Sequence, residues 1–382
     1  MTTVDDELEV LEYFQSDVSN DHYLSVKKDK LEELKEDDDA RESAETRYNN
    51  RRDESQHKKK IRTTIMAGFL RNGLVERQTN WEFKSLYPLR TLDVNSADVL
   101  IGNQTDGSII LIVILPLRQR PSTGINEAIE MIEGIRSNGS TLSRDIDLDF
   151  HNDRIQTAIA IDRSRALDTA TAIEDYESSV TDSEEFYVWR IVGTEGEKID
   201  IFTDFPTTDS ENRCHNGDLG QILNEGVEIM DSPHILPSFF YDTHHSLLLE
   251  HTVTKLASNR RESDIPNTHF SRAELRNYFD NTLHGPDSTN KAMQLVKRMI
   301  TLWKHFDLIA KISPSNDQIN DESTSYRFKS RKRNPKSIYD DVSEDYDEKS
   351  IEFLLEVESM EVAIQEYEEE NGIQSDLATF GD

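Results

Sequence analysis

The sequence predicts an α/β domain followed by a smaller helix-rich domain that ends in a β-hairpin, with charged helical extensions at both ends of the chain. Three observations predict it. Between residues 61 and 202, apolar β-branched runs alternate with stripes of helical spacing. From residue 245 onward helical spacing dominates, and one strongly two-sided helix is followed by two short strand signals. Residues 1–60 and 337–382 are dense in charge, and the latter hold 16 Asp or Glu and one Lys.

The elements follow in order. In the N-terminal segment, residues 1–60, Leu31 and Leu34 suggest a broken helix or short coiled coil through Asp39, with a flexible solvated arm as the alternative. Lys58, Lys59, Lys60 and Arg62 form a short basic run, readable as a phosphate contact or as a solvated helix end. Ile61, Ile65, Phe69 and Leu70 then recur at helical spacing, and Asn72-Gly73 closes that helix. Residues 75–84 read as a strand, and Asp98–Ile101 starts another. Gln104-Thr-Asp-Gly107 is a hairpin turn, and Ser108–Leu115 is a strand apolar enough to be buried on both faces. Ile125, Ile129, Ile132 and Ile135 share one helical stripe. Ile155–Ile161, Phe186–Val192 and Ile199–Phe202 read as strands, with a helix at Arg165–Tyr176. Residues 203–244, punctuated by Asp, Asn, Gly and Pro, read as a connector.

The second domain spans residues 245–336. His245–Leu256 is its first helix, and Ser271-Arg-Ala-Glu274 is a capping-box signature for the next, through Phe279. A turn at Gly285-Pro286 leads into a helix at Asn290–Phe306. Ile309–Ile312 and Ser325–Lys329 are strands around a polar loop, Ser313–Thr324. In the tail, Ile351, Leu354, Leu355, Val357, Val362 and Ile364 make an amphipathic helix, suited to packing on the body, to dimerisation, or to a protein partner.

Charge carries the most information about function. The chain has a formal charge of −32, yet residues 251–336 hold 16 Lys or Arg against 9 Asp or Glu. A basic island in so acidic a chain points to a polyanionic partner. The acidic surplus, with Arg exceeding Lys, is of halophilic type, suited to molar salt, although acidic tails on an ordinary protein give a similar total. High salt weakens phosphate contacts steeply, so shape and direct contacts would have to complement the island.

Other classes are set aside by what the chain lacks. One cysteine, Cys214, permits no internal disulfide and no thiolate-rich zinc site. The acidic start predicts no signal peptide, and the longest apolar run, Ile109–Leu117, is too short to cross a bilayer, so the expectation is a soluble cytoplasmic protein without membrane contact. No Gly-rich dinucleotide loop, no phosphate-binding loop of the Walker type and no Gly-x-Ser-x-Gly elbow occurs. Cys214-His215, His234, His244, His245 and His251 match no zinc spacing, and His244 and His245 are expected to point apart on a helix. Asp162-Arg163-Ser164-Arg165 reads as a phosphate site or a strand-to-helix turn.

With its element order and the segment Ser96-Ala97-Asp98-Val99-Leu100-Ile101, the region 61–202 resembles the restriction-endonuclease-like fold of PD-(D/E)xK nucleases. The resemblance implies a carboxylate at Asp98, a Glu-x-Lys on the next strand and a magnesium ion that activates water. That strand holds Val113-Ile114-Leu115 in place of Glu-x-Lys, and no acid or Lys occurs between Ser108 and Leu117. Arg118 and Arg120 lie beyond it, and Glu127 and Glu130 on the following helix are the candidate migrated carboxylates. The expectation is a nuclease-like scaffold without its catalytic set and without a cofactor. An active nuclease using magnesium is the alternative.

Residues 245–333 resemble a winged helix-turn-helix. On the helix Asn290–Phe306, Leu295, Val296, Met299, Ile300, Leu302, Trp303 and Phe306 share the core face. Lys291, Gln294, Arg298, Thr301 and His305 form the opposite stripe, flanked by Lys297 and Lys304, with no acid before Asp307. Such residues suit base edges and phosphates of double-stranded DNA. Arg327, Lys329, Arg331, Lys332 and Arg333 extend the set along the wing, although the last three also read as a linker. The resemblance implies DNA binding in regulation, genome maintenance or defence, with a homodimer as one arrangement and an acidic tail that competes for the basic face. A protein-interaction module is the remaining alternative.

Overall fold

A computed structural model of the chain describes residues 4–71, 73–88, 97–150, 154–180, 185–193, 198–206, 213–229, 239–240, 242–258, 268–284, 288–312 and 324–373. Asn72, Ser96, His234, the Gly285-Pro286 turn and residues 313–323 of the expected wing loop lie outside the described residues.

The chain begins with α1 (Val4–Tyr13), a π-helical turn at Phe14–Val18, α2 (Asp21–Glu36), α3 (Asp38–Gly68) and α4 (Leu74–Thr79). Then come β1 (Trp81–Leu86), β2 (Val99–Asn103), β3 (Ile109–Ile114), α5 (Pro121–Ile146) and β4 (Ile155–Asp162). A 3-10 turn at Arg163–Arg165 leads to α6 (Ala166–Ser179), β5 (Phe186–Val192), β6 (Lys198–Phe202), α7 (Gly217–Glu225), β7 (Val227–Glu228) and β8 (Phe239–Phe240). The remainder is α8 (His245–Ser258), β9 (His269–Ser271), α9 (Arg272–Thr282), β10 (Leu283–His284) and α10 (Ser288–His305). It closes with β11 (Ile309–Ile312), β12 (Ser325–Phe328), α11 (Pro335–Ser343) and α12 (Tyr346–Asn371). Among the described residues no helix is long and apolar enough to cross a membrane.

Two compact units divide these elements. One comprises residues 54–243 and 282–288, and the other residues 1–53, 244–281 and 289–382.

The first unit is α/β. Its seven strands lie in sequence order, β1 to β7, with β3, β4 and β5 parallel at the centre and antiparallel pairs on both sides. Period-two alternation along β3 explains its uniform apolarity. Ile109, Leu111 and Val113 pack with Ile125, Met131 and Ile132 of α5 and Ala170 and Ile173 of α6. Ile110, Ile112 and Ile114 face the other way, toward Ile61, Ile65 and Phe69 of α3 and Leu219 and Leu223 of α7. The turn at Gly107 adopts φ 70°, which glycine takes without a Cβ clash.

Two expectations are corrected in this unit. Residues 75–84 are not one strand. Asn80, at φ 61°, ends α4 in a left-handed cap and turns the chain into β1. Residues 203–244 also do more than connect, because Leu219 and Leu223 pack α7 on the sheet and β7 pairs with β6 as its last strand.

In the second unit, β11, β12 and β9 form a three-stranded antiparallel sheet in that order. The capping box at the start of α9 is present in full. The Ser271 amide donates to Glu274 Oε2 at 2.7 Å, and the Glu274 amide donates to Ser271 Oγ at 3.1 Å. The N-terminal segment is helical and packed, not a flexible arm. Leu34 of α2 and Ala44 and Tyr48 of α3 share a core with Leu354 and Leu355 of α12. Few apolar residues sit on each helix, so the segment reads as solvated until α12, at the far end of the sequence, is in place. Basic side chains of the N-terminal helices meet acids of α12 in reverse order: His22 with Glu366 at 2.9 Å, Lys27 with Glu356 at 2.5 Å, Lys35 with Glu352 at 3.6 Å and Arg41 with Glu348 at 2.5 Å.

Candidate nucleic-acid interface

Packing fixes which way α10 faces. Ala292, Leu295, Val296, Met299, Ile300, Leu302 and Trp303 are buried. The Trp303 ring meets Phe270 of β9 edge-on at 5.9 Å and Phe328 of β12 at 5.4 Å. Asp307, at φ 60°, ends the helix, and the Leu308 amide closes onto the Trp303 carbonyl at 2.8 Å before β11 begins. The helix therefore lies on the small sheet by its apolar face, as its spacing predicts.

The opposite face is turned relative to the sequence expectation. Asn290, Met293, Gln294, Lys297 and Lys304 are exposed, whereas Lys291, Arg298, Thr301 and His305 are half-buried along one flank. The reason is that residues outside 245–336 pack on that flank. His305 Nε2 lies 2.6 Å from Glu356 Oε2 of α12, and the His305 ring meets Phe353 edge-on at 5.0 Å. The Arg298 charge acts on His244 and His245. Burial alone would raise the Glu356 carboxyl, but hydrogen bonds from His305 and Lys27 outweigh it and bring it down to about 2. Lys291 Nζ donates to Gln294 Oε1 at 3.0 Å. Lys297 Nζ lies 2.8 Å from Glu12 of α1, and the Lys304 ammonium sits over the Tyr326 ring, 5.3 Å from its centroid.

The hairpin follows its alternation. Tyr326 and Phe328 are buried, while Arg327, Lys329, Arg331, Lys332 and Arg333 are exposed. Lys329 pairs with Asp307. Exposed cations on this helix and on the strand end beside its core are Lys297, Lys304, Arg327, Lys329 and Arg331 to Arg333, and Lys35, Arg41, Lys255, Lys311 and Lys336 are exposed elsewhere in the same unit.

Asp98 sits in a different environment. It lies just before β2, and both carboxylate oxygens are engaged. Oδ1 accepts from Arg62 Nη2 at 2.6 Å, and Oδ2 accepts from the Ile114 amide at 2.8 Å. Arg62 is 2% exposed, and its other nitrogen donates to both oxygens of Asp242, at 2.7 and 2.9 Å. Tyr87 stacks on the guanidinium at 4.7 Å and donates its hydroxyl to Asp242 at 3.2 Å. Burial alone would raise the Asp242 carboxyl, but Arg62 beside it leaves it below its usual value. Glu127 accepts from Gln119 Nε2 at 2.6 Å, and Glu130 is exposed. Among the described residues, no group of three His, Cys or carboxylate ligand atoms within 4.8 Å of one another includes Asp98, Glu127 or Glu130. The one such group is His22, Glu366 and Glu370, whose atoms already engage one another and Tyr23. Nothing in the sequence spacing announces Arg62 or Asp242 as partners of Asp98, because the three come from separate segments.

The remaining motifs resolve into structure. Asp162 takes His57 at 2.9 Å together with Lys60; the His57 hydrogen bond leads in bringing its carboxyl down to about 2 against burial. Arg165 donates to the Gln119 carbonyl at 2.6 Å and to that of Pro116, so Asp162–Arg165 makes a strand-to-helix turn. His215 accepts from Trp189 Nε1 at 2.9 Å, which leaves Nδ1 to donate to Gln156 Oε1 at 2.6 Å, and burial pushes the ring down to about 3. Cys214 donates to the Gly220 carbonyl. His244 and His245 do not point apart. Their rings lie 4.2 Å from each other, because His244 precedes α8 and is not bound by helical geometry. His245 Nδ1 meets the Tyr346 hydroxyl at 2.9 Å. Comparisons with protein-family models, with curated proteins and with solved structures gave no match for this chain.

Proposed function

We propose that this chain is a DNA-binding protein that engages duplex DNA through α10 and the β11–β12 hairpin, in the manner of a winged helix-turn-helix. The observation that carries the reading is the set of exposed cations, Lys297, Lys304, Arg327, Lys329, Arg331, Lys332 and Arg333, gathered in one unit of a chain whose formal charge is −32. Within this unit the elements α8, β9, α9, α10, β11 and β12, interrupted only by β10 of the α/β unit, and the three-stranded sheet support a winged helix. The α/β unit then serves as a scaffold without metal chemistry, since both oxygens of Asp98 are held by Arg62 and the Ile114 amide.

Fluorescence anisotropy with a labelled duplex in graded KCl tests this, with wild type beside Lys297→Ala/Lys304→Ala/Arg331→Ala. Each phosphate contact removed should lower the salt slope by about one. Wild-type binding that the triple variant keeps in full contradicts the interface. DNA recovered cut in magnesium, with cutting lost in Asp98→Asn, supports a nuclease instead. No binding at any salt points to a protein partner.

A further inference from the structure

We infer that the proposed DNA-binding face is autoinhibited by acidic residues of the two chain extensions, with Glu12 of α1 acting as an exchangeable stand-in for a DNA phosphate. The inference rests on the DNA-binding reading and adds a regulatory contact to it.

Two of the carboxylates that meet α10, Glu12 and Glu356, differ in how firmly they are held. Glu356 is fixed. It takes both Lys27 and His305, and α12 is locked against the end of α10 by Phe306, whose ring meets Tyr346 at 5.4 Å and Phe353 at 5.9 Å. Both members of the His305–Glu356 pair are about one-fifth exposed, so DNA would have to break packing to reach them. Glu12 is different. Its side chain is 49% exposed and that of Lys297 is 61% exposed. An exposed pair of this kind contributes little to stability, and its charges exchange readily with other ions. Its helix is nonetheless held in place, because Glu7 one turn earlier makes a buried ion pair with Arg51 of α3.

The arrangement therefore presents a carboxylate to an exposed cation of the α10 face without tying that cation into the core. A phosphate must displace Glu12 to contact Lys297, which lowers affinity for any duplex and leaves sites with additional direct contacts favoured. Because both partners are in solvent, the competition is strongest at low salt and fades as KCl screens it.

The test compares Glu12→Gln with Glu9→Gln in the full-length protein. Glu9 is an exposed acid on the same helix, so the two variants change net charge equally. Glu12→Gln should tighten duplex binding by about fivefold at low salt, while Glu9→Gln should stay within about twofold of wild type. The gain should shrink as KCl rises, and thermal midpoints should stay together because the pair is exposed. Glu12→Gln/Glu356→Gln serves as a second variant, with folding checked by its thermal midpoint, and should bind at least as tightly as Glu12→Gln. Equal affinities for Glu12→Gln, Glu9→Gln and wild type overturn the inference and leave DNA binding standing. Absence of binding in wild type, in Glu12→Gln and in the double variant overturns both.

Discussion

Arg62 and Lys297 are both cations paired with carboxylates, and the contrast between them separates the two regions that the sequence nominates for function. Arg62 is 2% exposed, shared between Asp98 and Asp242 and roofed by Tyr87. Lys297 is 61% exposed and meets one carboxylate that is itself half in water. The first pair cannot be opened without leaving a charge buried, which costs several kcal/mol, whereas the second can be opened at little cost. A motif-bearing acid in the α/β unit is thus part of its frame, while Lys297 of the other unit stays exposed beside an exposed carboxylate.

The largest effect should come from breaking the frame. Arg62→Ala leaves Asp98 and Asp242 buried without their cation and should cost about 3–5 kcal/mol in chemical denaturation. A loss under about 1 kcal/mol would erase the contrast, since surface pairs already fall in that range.

Acid should come next. Burial brings His215 and His244 down to about 3, and His245 is pushed down as well. The unfolded chain protonates such rings near 6.5, so the stability from neutral rings is whole above that pH and is lost as pH falls toward 3. By pH 4 the His215 ring alone should have cost about 3 kcal/mol, measured as a falling denaturation midpoint. Asp162 and Glu356, each held at about 2, act in the same direction over a lower window, with stability present above about 4 and lost as pH falls toward 2. Replacing His215 by Gln should flatten the pH profile of the α/β unit between 6.5 and 4, and a profile unchanged in that variant would remove His215 from the account.

A smaller loss is expected at the α9 cap. Ser271→Ala removes the acceptor of the Glu274 amide and should destabilise by about 1 kcal/mol. The smallest stability effect belongs to Lys297→Ala/Lys304→Ala, within about 0.5 kcal/mol of wild type, although the same variant should lose duplex affinity. Matching losses of stability and affinity in that variant would show that these lysines hold the fold.

What was legible in the sequence depended on local signals. The buried strand at Ile109–Ile114, the Gly107 turn, the Ser271–Glu274 capping box and the apolar face of α10 all follow from period and turn chemistry within a few residues. The split of residues 75–84 at Asn80 was not legible, because Val75 and Trp81 are both buried and only a left-handed residue divides them. The packing of the N-terminal helices was hidden because their core is completed by Leu354 and Leu355. The outward face of α10 was misjudged by the same kind of distance, since Glu356 and Phe353 cover the His305 flank and Glu12 lies 285 residues from Lys297. The Arg62–Asp98–Asp242 triad joins residues 36 and 180 positions from Arg62, beyond any motif.

Hydrogen–deuterium exchange of the full-length protein, with and without duplex DNA at low salt, tests the central contrast most directly. The account predicts slowed exchange in α10 and in the stretch from Ser325 to Arg333, with Arg62, Asp98 and their neighbours unchanged. Protection confined to the α3 and β2 segments around Arg62 and Asp98, with α10 unchanged, would contradict it.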